Sequence, residues 1–174
     1  MHFFTIVLLP PTVSLEGGAL YAAIDQLIEP YDLNIEGPMR KEYYTAHAIQ
    51  NLATRYCVRA TNLPKIAAKV RKDLGVSCEV DEKGLYYFTN LNPAGKYDYW
   101  TLHPMAEHGW PVRDMPRDLL ASAVVTPDGQ WHDTGEVIWD RDLTAAERVA
   151  VRERMHALVD RYPDYRAIPL GCHE

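Results

Sequence analysis

An α+β fold is what the sequence predicts, and three observations carry that prediction. The first is an apolar run, Phe3-Phe4-Thr5-Ile6-Val7-Leu8-Leu9, rich in β-favouring residues and suited to a strand covered on both faces. The second is a set of short strand-like runs separated by turn signals in the middle of the chain. The third is a long helical stripe near the end, opened by a capping box and followed by one more strand-like run.

The elements follow in order. Pro10-Pro11 ends the first strand, and Ser14 is the expected N-cap of a helix with Leu20, Ile24, Leu27 and Ile28 on its inner face, stopped by Pro30. Gly17 and Gly18 in its first turn are unfavourable in a helix; close packing explains them more simply than an anion site. A second helix is expected from about Lys41 to Tyr56, with Tyr44, Ala48, Leu52 and Tyr56 inward and His47 at the edge of that face. Asn62 caps a third, whose Ile66, Ala67, Val70 and Leu74 face inward and which Gly75 closes.

Val76–Val80 and Leu85–Asn90 read as two strands joined at Asp81-Glu82-Lys83-Gly84, and Tyr97–Trp100 as another. Between Pro104 and Pro116 an irregular loop is expected. Thr126-Pro127-Asp128-Gly129 then turns a hairpin, because proline presets one φ and glycine accepts a positive one. Thr144 and Glu147 form the capping box of a helix with Val151, Met155, Leu158, Val159 and Tyr162 inward. The run from Tyr165 to Glu174 is the last strand, with Pro169 expected at a sheet edge or bulge. This order predicts a ferredoxin-like sandwich: a mainly antiparallel sheet with helices on one face and a helical insertion at about 38–75. One domain spanning residues 1–174 is expected, large enough to bury roughly 70% of its unfolded surface.

Bulk composition narrows function. With 47% hydrophobic and 24% charged residues the chain reads as globular. A net charge of −6 argues against extended nucleic-acid binding, and Lys65, Lys69, Arg71 and Lys72 read as a solvated helix face. Cys57, Cys78 and Cys172 have neither the number nor the spacing of a disulfide framework or zinc finger, which suggests a reducing cytoplasm. The Phe3–Leu9 run is too short for a membrane span and lacks the basic leader of a secretory signal.

Asn90 to Asp133 holds three of the four tryptophans and is the expected functional centre. Tyr97, Asp98, Trp100, His103, Trp131 and His132, joined by His173 from the last strand, are the candidate ligand-binding residues. The aromatics suit stacking on a flat ligand whose polar edge Asp98 reads. Asp98, His103, His132, Asp133 and His173 are also residue types that hold a metal, although none shows a local ligand spacing, and His132 and Asp133 point to opposite faces of a strand. Cys172 beside His173 lacks a third orienting group for nucleophilic catalysis. Phosphate-loop, dinucleotide and nucleophile-elbow motifs are absent, and the sequence leaves the cofactor open.

The stretch from Asn92-Pro93 through Lys96-Tyr97-Asp98-Tyr99-Trp100 resembles a family of small uncharacterised proteins from actinobacteria and their phages, with an Asn-Pro, two variable residues, then Lys-Trp-Asp-Trp-Tyr pattern. Ile28-Glu29-Pro30-Tyr31-Asp32, Ala123 to His132, Tyr162-Pro163-Asp164 and Gly171-Cys172-His173 extend the resemblance. Where the family pattern has Gly-Gly-Arg-Trp, this chain has Leu102-His103-Pro104 and a longer loop. The resemblance implies a layout and brings no activity with it. Three functions follow as expectations: an accessory protein binding a small, for example nucleotide-like, molecule; a metal-assisted hydrolase using His103, His132, His173 and Asp98; or a phage protein that blocks a host partner through its surface.

Overall fold

The computed structural model describes residues 2–104, 109–135 and 143–174. Its elements are β1 (His2–Leu9), α1 (Gly17–Ile28), β2 (Arg40–Tyr43), α2 (Ala46–Arg55), α3 (Leu63–Leu74), β3 (Glu79–Asp81), β4 (Gly84–Thr89), β5 (Tyr99–Leu102), β6 (Trp110–Pro111), β7 (Ala123–Val125), β8 (Trp131–Asp133), α4 (Ala145–Val159) and β9 (Arg166–His173). The fold is mixed α and β with a mostly antiparallel main sheet. Two compact units emerge: Met1–Ile35 together with Asn92–Glu174, and Glu36–Leu91.

The first unit is built on a sheet of order β5-β9-β1-β7-β8, with β6 also pairing β9. β1 lies at its centre, antiparallel to β9 and parallel to β7. Successive side chains of a strand alternate between faces, and β1 uses both. Phe3, Val7 and Leu9 pack with Leu20, Ile24 and Ile28 of α1. Phe4, Ile6 and Leu8 pack with Met155 and Val159 of α4. The two helices therefore cover opposite faces, which corrects the one-face layout of the ferredoxin-like expectation. The physical reason is β1 itself: a strand apolar on both faces from Phe3 to Leu9, apart from Thr5, exposes a greasy face unless each side is covered.

The second unit has a three-stranded sheet, β2-β4-β3, all antiparallel. Ala53 of α2, Ile66, Ala67 and Val70 of α3, Cys78 and Leu85 form its core. The inserted segment thus carries its own strands and runs beyond the helical stretch expected at 38–75.

Several boundaries shift. Helix α2 starts at Ala46, capped by the Thr45 hydroxyl, because residues 40–43 form the strand β2 instead of a first helical turn. Ser14 accepts from the Glu16 amide, at 3.3 Å, and α1 begins at Gly17 without a side-chain cap. Pro169 lies in an interior strand, opposite Ile6, instead of at an edge. It is tolerated because its carbonyl accepts from the His103 amide at 3.0 Å, so its missing N–H faces the chain leaving β5, past the last β5 pair. In the loop expected at 104–116, residues 105–108 lie outside the described residues; the remainder includes β6 and a 3-10 turn at Val112–Asp114. The capping box of α4 is present as expected. Among the described residues, no helix is long and apolar enough to cross a membrane.

Candidate functional site

Within the first unit, the end of α1, the turn after it and the start of β5 enclose an open cleft of about 470 Å³ lined by Asp25, Glu29, Asp32, Tyr97, Asp98, Tyr99 and Trp100. Each wall has a local cause. Asp25 and Glu29 are four residues apart, which sets them on one side of the α1 terminus. Asp32 is positioned by a turn in which its carboxylate accepts from the Asn34 amide at 2.8 Å and from Asn34 Nδ2 at 2.9 Å. Tyr97 is buried beneath the cleft, stacked on Trp131 with ring centres 6.4 Å apart. Trp100 stacks on Tyr21 and donates its indole N–H to Asp25 at 3.1 Å.

Asp98 sits where β5 meets the end of β9. Its amide donates to the His173 carbonyl at 2.8 Å, and its carboxylate lies 2.9 and 3.0 Å from His173 Nδ1. Burial pushes the Asp98 carboxyl up, but the His173 hydrogen bond and charge and nearby backbone amides outweigh it, leaving the group below the usual carboxylate range. The His173 ring is also stacked on Tyr99 at 4.9 Å and meets His2 edge-on at 4.7 Å. Burial pushes the Tyr97 phenol up, and the charges of Asp32, Asp25 and Glu29 push it the same way, which registers the negative field of the cleft.

The structure therefore brings together Tyr97, Asp98, Trp100 and His173, with Trp131 behind Tyr97. It does not bring in the other two candidates. His132 lies on β8, three strands from β9 and so roughly 14 Å across the sheet, where Nε2 meets the Thr126 hydroxyl at 3.1 Å. His103 packs edge-on against Phe4, with ring centres 4.9 Å apart. The metal-hydrolase constellation is thereby corrected: its histidines sit at separate places on the sheet, and among the described residues no group of three His, Cys, Asp or Glu side chains is placed to hold a metal ion. Burial pushes the Cys172 thiol up to about 11, although the Thr5 hydroxyl beside it acts in the opposite direction, so it is a core residue and a poor nucleophile.

Sequence reasoning missed Asp25, Glu29, Asp32 and Tyr99 as cleft residues. A signal for the acids was present: carboxylates repeated at helical spacing near a helix C-terminus oppose both one another and the helix dipole, an arrangement that local stability disfavours. No known protein family, curated protein or solved structure matches the chain.

Proposed function

We propose that the protein is a small-molecule-binding accessory protein of the phage or actinobacterial kind, and that its ligand is an organic cation held in the cleft beside α1. The observation that carries this reading is the composition of the cleft wall: among the described residues it has four carboxylates and three aromatic rings and no Lys or Arg. A phosphate placed there would be repelled, so among nucleotide-like ligands the reading favours a base or nucleoside over its phosphate ester. An ammonium or guanidinium on a flat or alkyl body meets both features, since rings offer their negative faces to a cation and carboxylates accept its N–H groups. The Glu29 carboxylate has no hydrogen-bond partner among the described residues and is available for such a contact.

The test is a thermal-shift panel of phenethylamine, a linear diamine, a nucleoside and its monophosphate. A ligand present at one hundred times its Kd raises the melting temperature by about 5–10 °C in a domain of this size. Amines are expected to give that shift, the monophosphate none, and Asp25→Asn to reduce it. Flat melting curves across the panel, with no adduct by native mass spectrometry, would overturn the reading.

A further inference from the structure

The second unit carries an architecture that the cleft does not use. Its chain order is strand, helix, helix, then a two-stranded hairpin, and the first strand pairs with the second arm of that hairpin, giving β2-β4-β3. This is the arrangement of a winged helix-turn-helix, in which the second helix of the pair enters a nucleic-acid groove and the hairpin forms the wing. The turn between the helices is sharply defined. The Val58 amide donates to the Ala53 carbonyl at 2.9 Å and the Cys57 amide to the Thr54 carbonyl at 3.2 Å, with Cys57 at φ 52°. Asn62 then caps α3 by accepting from the Lys65 amide.

The outer face of α3 has the chemistry such a helix needs. Ile66, Ala67 and Val70 face the core, while Lys65, Ala68, Lys69 and Lys72 are exposed on the opposite side. Lys65 and Lys72 are separated by about 10 Å along the axis. Small Ala68 between them leaves room for close approach. None of these three lysines joins an ion pair among the described residues. An ordinary solvated face would intersperse acids, because like charges four residues apart destabilise a helix. The one acid within α3, Asp73, is already held by Arg55 at 2.8 Å.

Arg59 in the turn and Lys83 at the hairpin tip add further exposed cations. Glu79 and Asp81 share the sheet face of Tyr86, away from the helices, and are engaged by Tyr86, Lys41 and Tyr43. From Glu36 to Leu91 the chain has nine Lys and Arg against six Asp and Glu, a net charge of +3 within a protein of net charge −6.

We propose that Glu36–Leu91 is a double-stranded DNA-binding module, with α3 seated in the major groove and Lys65, Lys69, Lys72 and Arg59 neutralising phosphates. A B-form major groove about 12 Å wide admits a helix, whereas the deep, narrow major groove of duplex RNA does not. This inference is independent of the cleft reading.

The test is fluorescence anisotropy of the full chain with a labelled mixed-sequence DNA duplex at several salt concentrations. Four phosphate contacts predict a slope of about −4 in log K against log salt, or roughly a hundredfold loss between 50 and 200 mM. Each of Lys65→Ala, Lys69→Ala and Lys72→Ala is expected to weaken binding several-fold and to lower the slope by about 1, with Lys65→Arg restoring it. These side chains are exposed and join no ion pair among the described residues, so circular dichroism and melting temperature should stay at the wild-type values. Absence of duplex binding at low salt, or equal or tighter binding to duplex RNA or single-stranded DNA, overturns the proposal. So does duplex binding that the three substitutions leave unchanged.

Discussion

At the scale of single residues, the Asp98–His173 pair shows how a strand end becomes chemically specific. The carboxylate is anchored by its own backbone amide on β9 and by the imidazole of the same β9 residue. Its folded carboxyl lies below the ordinary 3.8, so the unfolded chain takes up that proton first as pH falls. The stabilisation is therefore complete above the unfolded value and fades as pH drops through the lower folded value. A carboxyl-carbon NMR titration is expected to give a midpoint below 3.8 for Asp98, moving upward in His173→Gln. A midpoint that ignores His173→Gln would remove the imidazole as a cause. The sequence already groups Asp98 and His173 in one candidate site; what it does not show is that His173, and not His103 or His132, is the imidazole beside Asp98. That pairing depends on register, which sets Tyr99 opposite His173, and register follows from contacts about seventy residues apart. His103 and His132 looked equivalent to His173 for the same reason.

At the scale of elements, those with a local physical code were legible and those defined by distant partners were not. The Thr144–Glu147 box, the Asn62 cap and the Gly75 stop all sit where their residue types require. Helix α3 needed little distant information: Ile66, Ala67 and Val70 of the expected inner face are buried, whereas Leu74, in its last turn, is exposed. By contrast, Arg40-Lys41-Glu42-Tyr43 favours a helix by propensity, since three of its four residues are good helix formers. Its state is decided by pairing with Tyr86–Thr89 in β4. The end of α2 offers a prediction. Cys57 occupies the left-handed position that glycine ordinarily fills, at a penalty of about 1–2 kcal/mol for a side chain with a Cβ. Part of this is offset in a glycine variant by the greater backbone entropy of its unfolded chain. Cys57→Gly is expected to stabilise by about 0.5–1 kcal/mol, read as a higher urea midpoint with an unchanged slope. A lower midpoint would mean that the Cys57 side chain contributes packing that outweighs the strain.

At the scale of the whole molecule, the net charge of −6 is the sum of two parts of opposite sign, so whole-chain composition conceals the positive balance of Glu36–Leu91. The same division makes the first unit separable by construction. No strand of its sheet comes from Glu36–Leu91. The two points where its chain departs and returns are already tied together: the Asn92 amide donates to the Leu33 carbonyl at 3.3 Å, and Asn92 Nδ2 donates to the Pro30 and Asp32 carbonyls at 2.7 and 2.9 Å. Gly95 tightens this junction, since a Cβ there would lie 2.9 Å from the Leu33 Cα. Replacing Glu36–Leu91 by a two- or three-glycine bridge between Ile35 and Asn92 should therefore yield a chain that still unfolds cooperatively, because loop closure over a short gap is inexpensive. Its urea slope should fall by about a third, following the share of surface removed. The amine-dependent thermal shift should survive and duplex binding should vanish. A shortened chain without a cooperative transition would show that the sheet β5-β9-β1-β7-β8 depends on the inserted unit for its stability, and that neither activity can be assigned to one part alone.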